Sequence, residues 1–335
     1  MDQPARLPNF FIVGAPKAGT TSLYAYLAQH PRIYLSPLKE TYYFSSEFRL
    51  ENFSEEVRPR LRRDARALDE YLQGEVREMR FGGLVSRWED YLKLFRHGSD
   101  EIAIGEATPL YLWSQSAPGN IAALIPHARI VISLRNPVDR AYSHYLHMVS
   151  AGAVRRSFRE QIEASLHVAD QRKIGPAWPF LEYGRYHEQI SRYLSVFPRS
   201  QLHISLFEEL QETPDLLISR LFGFLGVDPT FRVDLAHRHN EPNIHKMAAA
   251  TYFLKKWRVW EPLRQLAPAS VRSRLRSLLR RPHASLAMRP ADRALLVDYY
   301  RDEVLKLSAL IDRDLSGWLS RAADAGARSG TSGPQ

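Results

Sequence analysis

Apolar and polar positions fall in blocks along this chain, and the period changes from block to block. Phe10-Phe11-Ile12-Val13 is a short apolar run ending in Gly14, the pattern of a parallel strand buried on both faces. Beyond Gly19, the apolar positions Leu23, Tyr26 and Leu27 recur with helical spacing. The opening unit is therefore strand, glycine-containing loop, helix. Residues 47–80 carry many charges of both signs and predict a solvated helical excursion. Trp88, Tyr91, Leu92 and Phe95 mark one face of a further helix. Ile102-Ala103-Ile104-Gly105-Glu106 predicts a second strand end. Residues 129–134, Arg-Ile-Val-Ile-Ser-Leu, form the clearest strand of the chain, broken by Arg135-Asn136-Pro137 and followed by a helix from Val138. Leu202-His203-Ile204-Ser205-Leu206-Phe207 is another strand. Glu208-Glu209 and a helix through Leu221, Phe224 and Leu225 follow it, with Gly226 and Pro229 as the stop.

Strands that alternate with helices predict an α/β fold, with a central parallel sheet covered by helices on both faces. No repeat is visible, and no interior linker is rich enough in Gly, Ser or Pro to split the chain. A single domain over residues 1–321 is expected, followed by a disordered tail at 322–335, where small polar residues dominate. With 335 residues, 44% of them hydrophobic and 25% charged, one large α/β domain has enough apolar material for a sizeable core.

Composition narrows the chemistry. There are no cysteines, so disulfides, thiolate nucleophiles, Cys-ligated zinc and iron–sulfur clusters are excluded. The 12 histidines show no metal-ligand spacing; His144 and His147 share a helix face without a third partner, and no metal is expected. The start Met1-Asp2-Gln3-Pro4-Ala5-Arg6 leads into no apolar leader, and no apolar run approaches the ~18 residues of a membrane span. A cytoplasmic protein is expected. The net charge of +9 favours anionic partners in general and does not choose among them. Residues 269–293 hold seven arginines and one acid, Asp292. With Val271, Leu275, Leu278 and Leu279 they read as a basic amphipathic helix, either a solvated face or a dock for an anionic acceptor or an acidic membrane surface.

The loop Gly14-Ala15-Pro16-Lys17-Ala18-Gly19-Thr20-Thr21-Ser22 joins the first strand to the first helix. A helix N-terminus offers unpaired N–H groups and the positive end of a dipole, and both suit a phosphate. Two glycines let the backbone wrap an anion, and Thr20, Thr21 and Ser22 add hydroxyls. A nucleoside triphosphate P-loop reads Gly-x4-Gly-Lys-[Ser/Thr]. Here Thr20 stands where that lysine belongs, and the lysine, Lys17, lies inside the loop. A bare Gly-x4-Gly is also read as a tight turn with a surface lysine. The strand before it, the Thr-Thr-Ser run and the helix behind it favour anion binding.

The stretch from Phe11 through Gly14, Lys17, Gly19, Thr20, Thr21 and Ser22 to Leu23 resembles the 5′-phosphosulfate loop of sulfotransferases that use 3′-phosphoadenosine 5′-phosphosulfate (PAPS). The likeness is greatest to the branch of heparan sulfate sulfotransferases and their bacterial relatives. The resemblance implies that Lys17, Ala18, Gly19, Thr20, Thr21 and Ser22 bind the donor, with Lys17 also stabilising the bridge oxygen. Leu134-Arg135-Asn136-Pro137, with Arg140-Ala141-Tyr142-Ser143-His144-Tyr145, resembles the same family's 3′-phosphate element and assigns Arg135 and Ser143 to that phosphate. Physical reasoning agrees: Arg135 leaves the C-terminal end of a strand, where ligands of α/β folds bind, and its guanidinium suits a bidentate phosphate clamp.

Pro37-Leu38-Lys39-Glu40-Thr41-Tyr42-Tyr43-Phe44 is similar to the segment that supplies the family's base, which falls on Glu40. The alternative is a solvated Lys-Glu pair on a loop. Gly105-Glu106-Ala107-Thr108-Pro109-Leu110-Tyr111-Leu112 resembles a segment lining the acceptor cleft. Some animal members carry a lysine where Ala107 stands, so no second catalytic lysine is carried over there, and Glu106 reads as structural. The likeness extends through Glu182-Tyr183-Gly184-Arg185-Tyr186 and Phe207-Glu208-Glu209-Leu210, covering most of residues 9–320 and loosest at 47–85 and 228–290. The animal adenosine loop contains cysteine and does not carry over; Arg238, Asn240 and Lys246 are the nearby candidates. The implied activity is sulfuryl transfer from PAPS, without a metal, to a hydroxyl or amine of a carbohydrate or glycoconjugate, with lipid and secondary-metabolite acceptors open. No nucleic-acid partner is expected. The rivals are a P-loop small-molecule kinase, disfavoured by Thr20, and a non-catalytic polyanion-binding protein.

Overall fold

A computed structural model of the chain describes residues 6–167, 173–235, 244–245, 280–281 and 287–321. Its nine strands are β1 (Phe10–Gly14), β2 (Ile33–Leu35), β3 (Leu38–Lys39), β4 (Arg80–Phe81), β5 (Ala103–Ala107), β6 (Arg129–Leu134), β7 (Leu202–Leu206), β8 (Ile244–His245) and β9 (Arg280–Arg281). Five of them form the central sheet in the order β2-β5-β1-β6-β7. All its pairings are parallel. The described helices are α1 (Thr20–Leu27), α2 (Arg58–Gln73), α3 (Trp88–Lys93), α4 (Ala117–Leu124), α5 (Pro137–Ser150), α6 (Phe158–Leu166), α7 (Tyr186–Leu194), α8 (Phe207–Glu212), α9 (Pro214–Leu225) and α10 (Pro290–Ile311).

Strand periodicity divides the core in two. Phe10, Ile12, Ala103, Ala107 and Val131 point to one face, where α1 and α9 cover them with Leu23, Leu27, Leu221 and Phe222. Phe11, Val13, Ile130, Ile132, Leu202 and Ile204 point to the other, against Tyr91 of α3, Ile121 of α4, Ala141 of α5, Ile190 of α7 and Tyr300 of α10. This is the expected sheet with helices on both faces, and the apolar runs are continuous because both faces are covered. The connection through α1 leads away from β6, while β6 and β7 extend the sheet the other way. The strand order therefore reverses between β1 and β6, which opens a crevice at their C-terminal ends.

Some elements differ from the sequence expectation. β2, β3 and β4 have only three or two residues each, too few for a periodic signal. The excursion at 47–80 holds α2, yet Leu68 and Leu72 of α2 are buried, so it packs onto the body. The helix after β7 is two helices, because Pro214 cannot continue α8 and instead starts α9. Gly226 caps α9 in the left-handed conformation, φ 77°, as anticipated. No helix among the described residues is long and apolar enough to cross a membrane. Most of the arginine-rich stretch 269–293, the candidates Arg238, Asn240 and Lys246, and the tail 322–335 lie outside the described residues.

Close approach of β5 to β1 gives a direct test of the packing. Gly105 lies in register with Phe10. A Cβ on Gly105 would sit 2.5 Å from the Phe10 ring. Neither central strand has room to move aside. Gly105→Ala is expected to destabilise the protein by about 1–3 kcal/mol. Denaturant unfolding would show this as a lower midpoint with an unchanged slope; an unaltered midpoint would contradict the tight β1–β5 packing.

Candidate functional site

The crevice at the ends of β1 and β6 opens into a cleft of about 2130 Å³, and Lys17, Gly19, Thr20, Thr21, Ser22, Glu40, Arg135 and Ser143 all line it. Residues read from three separate stretches of sequence therefore meet at one place. The volume exceeds the roughly 300–1,000 Å³ of a typical small-molecule site, so it accommodates more than one reactant.

The loop from β1 to α1 is tied down from outside. Ala15 N–H donates to Ser133 O at 2.6 Å. Ser133 Oγ donates to Ala18 O at 2.6 Å, and Arg135 Nη1 donates to Lys17 O at 3.2 Å. β6 thus fixes the shape of the loop on β1. Lys17 and Gly19 take left-handed φ values of 70° and 83°. Gly19 is required twice over, since a Cβ there would also meet Leu210 at 2.6 Å. The loop ends at the first turn of α1, where Thr20 and Thr21 present N–H groups with no acceptor inside the helix. Ala18 departs from its expected place. It is fully buried, and its N–H is spent on Ala15 O at 3.2 Å. Its role is to pack the loop, not to face the cleft.

Arg135 follows β6 and lies over the Phe207 ring, with its guanidinium carbon 4.7 Å from the centroid. Burial lowers its pKa, with Asp139 opposing; a guanidinium stays charged regardless. Ser143 lies nearly two turns into α5 and lines the cleft. The start of α5 is set by Asn136, whose side chain accepts from Val138 N–H at 3.0 Å. Below it, fully buried Arg140 donates to Phe180 O at 2.8 Å and anchors the helix.

Glu40 sits on a pinned turn. Its backbone takes φ 66°. Its N–H donates to Ala107 O at 2.8 Å, and its carbonyl accepts from Gly83 N–H at 3.1 Å. Tyr42 Oη donates to Glu40 Oε2 at 2.9 Å, which aims the carboxylate. Burial, then the charge of Glu40, pushes the Tyr42 phenol well above its ordinary pKa, so it remains a donor. The solvated Lys-Glu pair is thereby set aside.

Behind the turn lies Glu106, fully buried and out of the cleft. Its carboxylate accepts from Thr41 Oγ1 at 2.6 Å, Thr108 Oγ1 at 3.0 Å, Tyr91 Oη at 2.8 Å and Tyr111 Oη at 3.2 Å. Burial raises its pKa and the four hydroxyls pull it back. Thr41 follows Glu40 directly, so Glu106 braces the Glu40 turn from outside the cleft. Glu47 does similar work one turn on, accepting from Ser114 Oγ and Ser116 Oγ at 2.7 Å each. Burial raises its carboxyl, yet these and further hydrogen bonds outweigh it and hold the pKa down to about 2.

Three cleft residues were not assigned from sequence. Lys39 is 1% exposed and lines the cleft beside Glu40. The other two, His144 and His147, had been weighed only as metal ligands. Burial takes His144 well below its usual pKa, helped by Arg140. Burial, with Lys17 beside it, takes His147 to about 4. Both imidazoles are therefore neutral at pH 7. The pKa of Lys17 is lowered by burial and by Arg135, against the pull of Glu40. Lys17 and Lys39 thus share Glu40 as their neighbouring carboxylate, while Arg135 has Asp139 and Glu208. Among the described residues, no group of three or more metal-ligating side chains occurs.

Known proteins resemble this chain. Residues 8–231 match the model of the family described as "Sulfotransferase family". Human bifunctional heparan sulfate N-deacetylase/N-sulfotransferase 3 is 30% identical over 68% of this chain and 23% of its own length. Human carbohydrate sulfotransferase 15 is 26% identical over 67% of this chain and 44% of its own length. The chain thus spans less than half of these curated relatives. The crystal structure of a sulfotransferase from Alicyclobacillus acidocaldarius covers 94% of this chain and 100% of its own, with a TM-score of 0.66 and 31% identity. The family match extends across the loop, Glu40 and Arg135, and the chain belongs to the sulfotransferase family.

Proposed function

We propose that the protein transfers a sulfuryl group from PAPS to a hydroxyl or amine of a carbohydrate or glycoconjugate. One observation carries the reading. A phosphate-type loop holding Lys17 and a half-buried Arg135 open from adjacent strand ends, with the pinned carboxylate of Glu40 across the same cleft. A donor with phosphates at both ends of its ribose needs two separate anion anchors, and the cleft supplies them.

In the reaction, Glu40 takes the proton of the acceptor hydroxyl or amine as that atom attacks sulfur. A new S–O or S–N bond forms, and the bond from sulfur to the bridge oxygen breaks. The electron pair leaves with 3′-phosphoadenosine 5′-phosphate (PAP). Lys17 and the first-turn N–H groups of α1 stabilise the charge that gathers on the bridge oxygen and 5′-phosphate. Arg135 and Ser143 hold the 3′-phosphate, and the Phe207 ring keeps the guanidinium in plane. The protein's own cations supply the charge stabilisation.

The cleft lining supports this acceptor class. Arg49, Arg60, Arg62, Arg66 and Arg80 line the outer cleft, and an anionic sugar chain complements that surface. The names of the two human relatives, a heparan sulfate N-sulfotransferase and a carbohydrate sulfotransferase, agree with a carbohydrate acceptor.

Calorimetry tests the donor. PAP is expected to bind far more tightly than AMP, with no magnesium present, and equal affinities would remove the 3′-phosphate assignment. Arg135→Ala is expected to weaken PAP binding by about 2–4 kcal/mol. Arg135→Lys recovers only part, since an ammonium neither clamps bidentately nor stacks as well on Phe207. Turnover tests the base. Glu40→Gln keeps the turn but removes the proton acceptor, so PAP affinity survives while turnover falls by roughly 10²–10⁴. Lys17→Ala should lose both. Near-normal turnover by a folded Glu40→Gln protein would move the base elsewhere.

A further inference from the structure

One cation on the cleft floor has no part in the chemistry above. Lys39 lies in β3, 1% exposed, and its Nζ donates to Thr21 Oγ1 at 2.6 Å. We propose that Lys39 is a second donor-binding lysine, which together with Lys17 grips the 5′-phosphosulfate end of the donor and turns the Thr21 hydroxyl toward it. The proposal rests on the sulfuryl-transfer reading.

An ammonium has three N–H donors. One is spent on Thr21, which is the only hydrogen bond that Lys39 makes through its side chain among the described residues. Because Thr21 accepts there, its own O–H is free to donate forward, at the first turn of α1 where an anion is expected. No carboxylate among the described residues forms an ion pair with Lys39.

Its neighbours explain the tension. From β4 it meets the Phe81 ring, 5.7 Å from Nζ to the centroid. From the β1–α1 loop it meets Lys17, and from its own turn Glu40. From α1 it meets the Thr21 hydroxyl and the positive end of the helix. Lys17 and the helix end repel an ammonium; Glu40, the Phe81 ring and the Thr21 oxygen favour it, yet Glu40 is the one anion among them. A buried cation in such company is costly unless an anion joins it. Burial first, then Lys17, holds the Lys39 pKa down to about 8 against the pull of Glu40. A phosphate arriving nearby favours the charged form and draws a proton onto it. A lysine that merely ties β3 to α1 would show none of this dependence on the ligand.

The experiment compares PAP with adenosine 3′-monophosphate, which lacks the 5′ group, by calorimetry on wild type, Lys39→Met and Lys39→Gln. PAP affinity is expected to fall roughly 10- to 100-fold in both variants. Affinity for the 3′-monophosphate should stay within about twofold, because its contact is Arg135. In the wild type, raising the pH from 7 to 9.5 deprotonates Lys39 and should weaken PAP by roughly tenfold, while the 3′-monophosphate changes little. Lys39→Gln should flatten that profile. Unchanged PAP affinity in a folded variant overturns the proposal, as does equal weakening of both ligands. A flat wild-type profile overturns it even where neither variant folds. Wild type that binds no PAP at all at pH 7 defeats the donor reading itself, a result distinct from the others.

Discussion

β1 and β6 are neighbours in the sheet, and the placement of Lys17 and Arg135 on the cleft floor follows from that pairing. Parallel strands leave the sheet on the same side, about 4.8 Å apart. The loop bearing Lys17 and the residue Arg135 therefore start next to each other. Ser133 and Arg135 then bond back to the loop and set its shape. One strand inserted between them would break those bonds and separate the two anchors. The strand order is thus a condition of the chemistry, not only of the fold.

The second constraint is the turn at Glu40, and it is held from below. A carboxylate meant to take a proton must be fixed against the reacting atoms within a fraction of an ångström. Backbone bonds to Ala107 and Gly83 fix the residue itself. Thr41 is fixed by Glu106, and Glu106 by Tyr91, Tyr111 and Thr108. Two acidic residues thus stand back to back: Glu40 faces the cleft, and Glu106, buried and surrounded by hydroxyls, braces the turn behind it. The network is also tied across itself, with Thr41 Oγ1 and Tyr111 Oη 2.9 Å apart.

Much of this was legible in the chain. The apolar runs at Phe10, Arg129 and Leu202 and the glycine loop located the sheet and the 5′ anchor, because both faces are covered and the loop follows a strand directly. Arg135, Ser143 and Glu40, singled out by resemblance to family motifs, all line the cleft. Less was visible where contacts are distant. Lys39 carries no local mark apart from standing beside Glu40; its meaning comes from Thr21, 18 positions away. His144 and His147 share a helix face, which suggested ligands, whereas burial makes them neutral cleft walls. Ala18 looked like a loop contact because its neighbours are, yet the fold spends its amide within the loop. β2, β3 and β4 are too short for any period to show.

In the proposed function, Arg135 and the first turn of α1 hold on to opposite ends of one nucleotide, and each grips a phosphate that the reaction leaves untouched. On the proposed reading, the departing nucleotide keeps nearly all the contacts with which the donor arrived; only those made to the sulfuryl oxygens are lost. The spent molecule is then a competitor almost equal to the fresh one. Turnover in a closed vessel would slow as it accumulates, well before acceptor ran out. A host that relies on this protein must therefore pair it with a reaction that cleaves one of those phosphates.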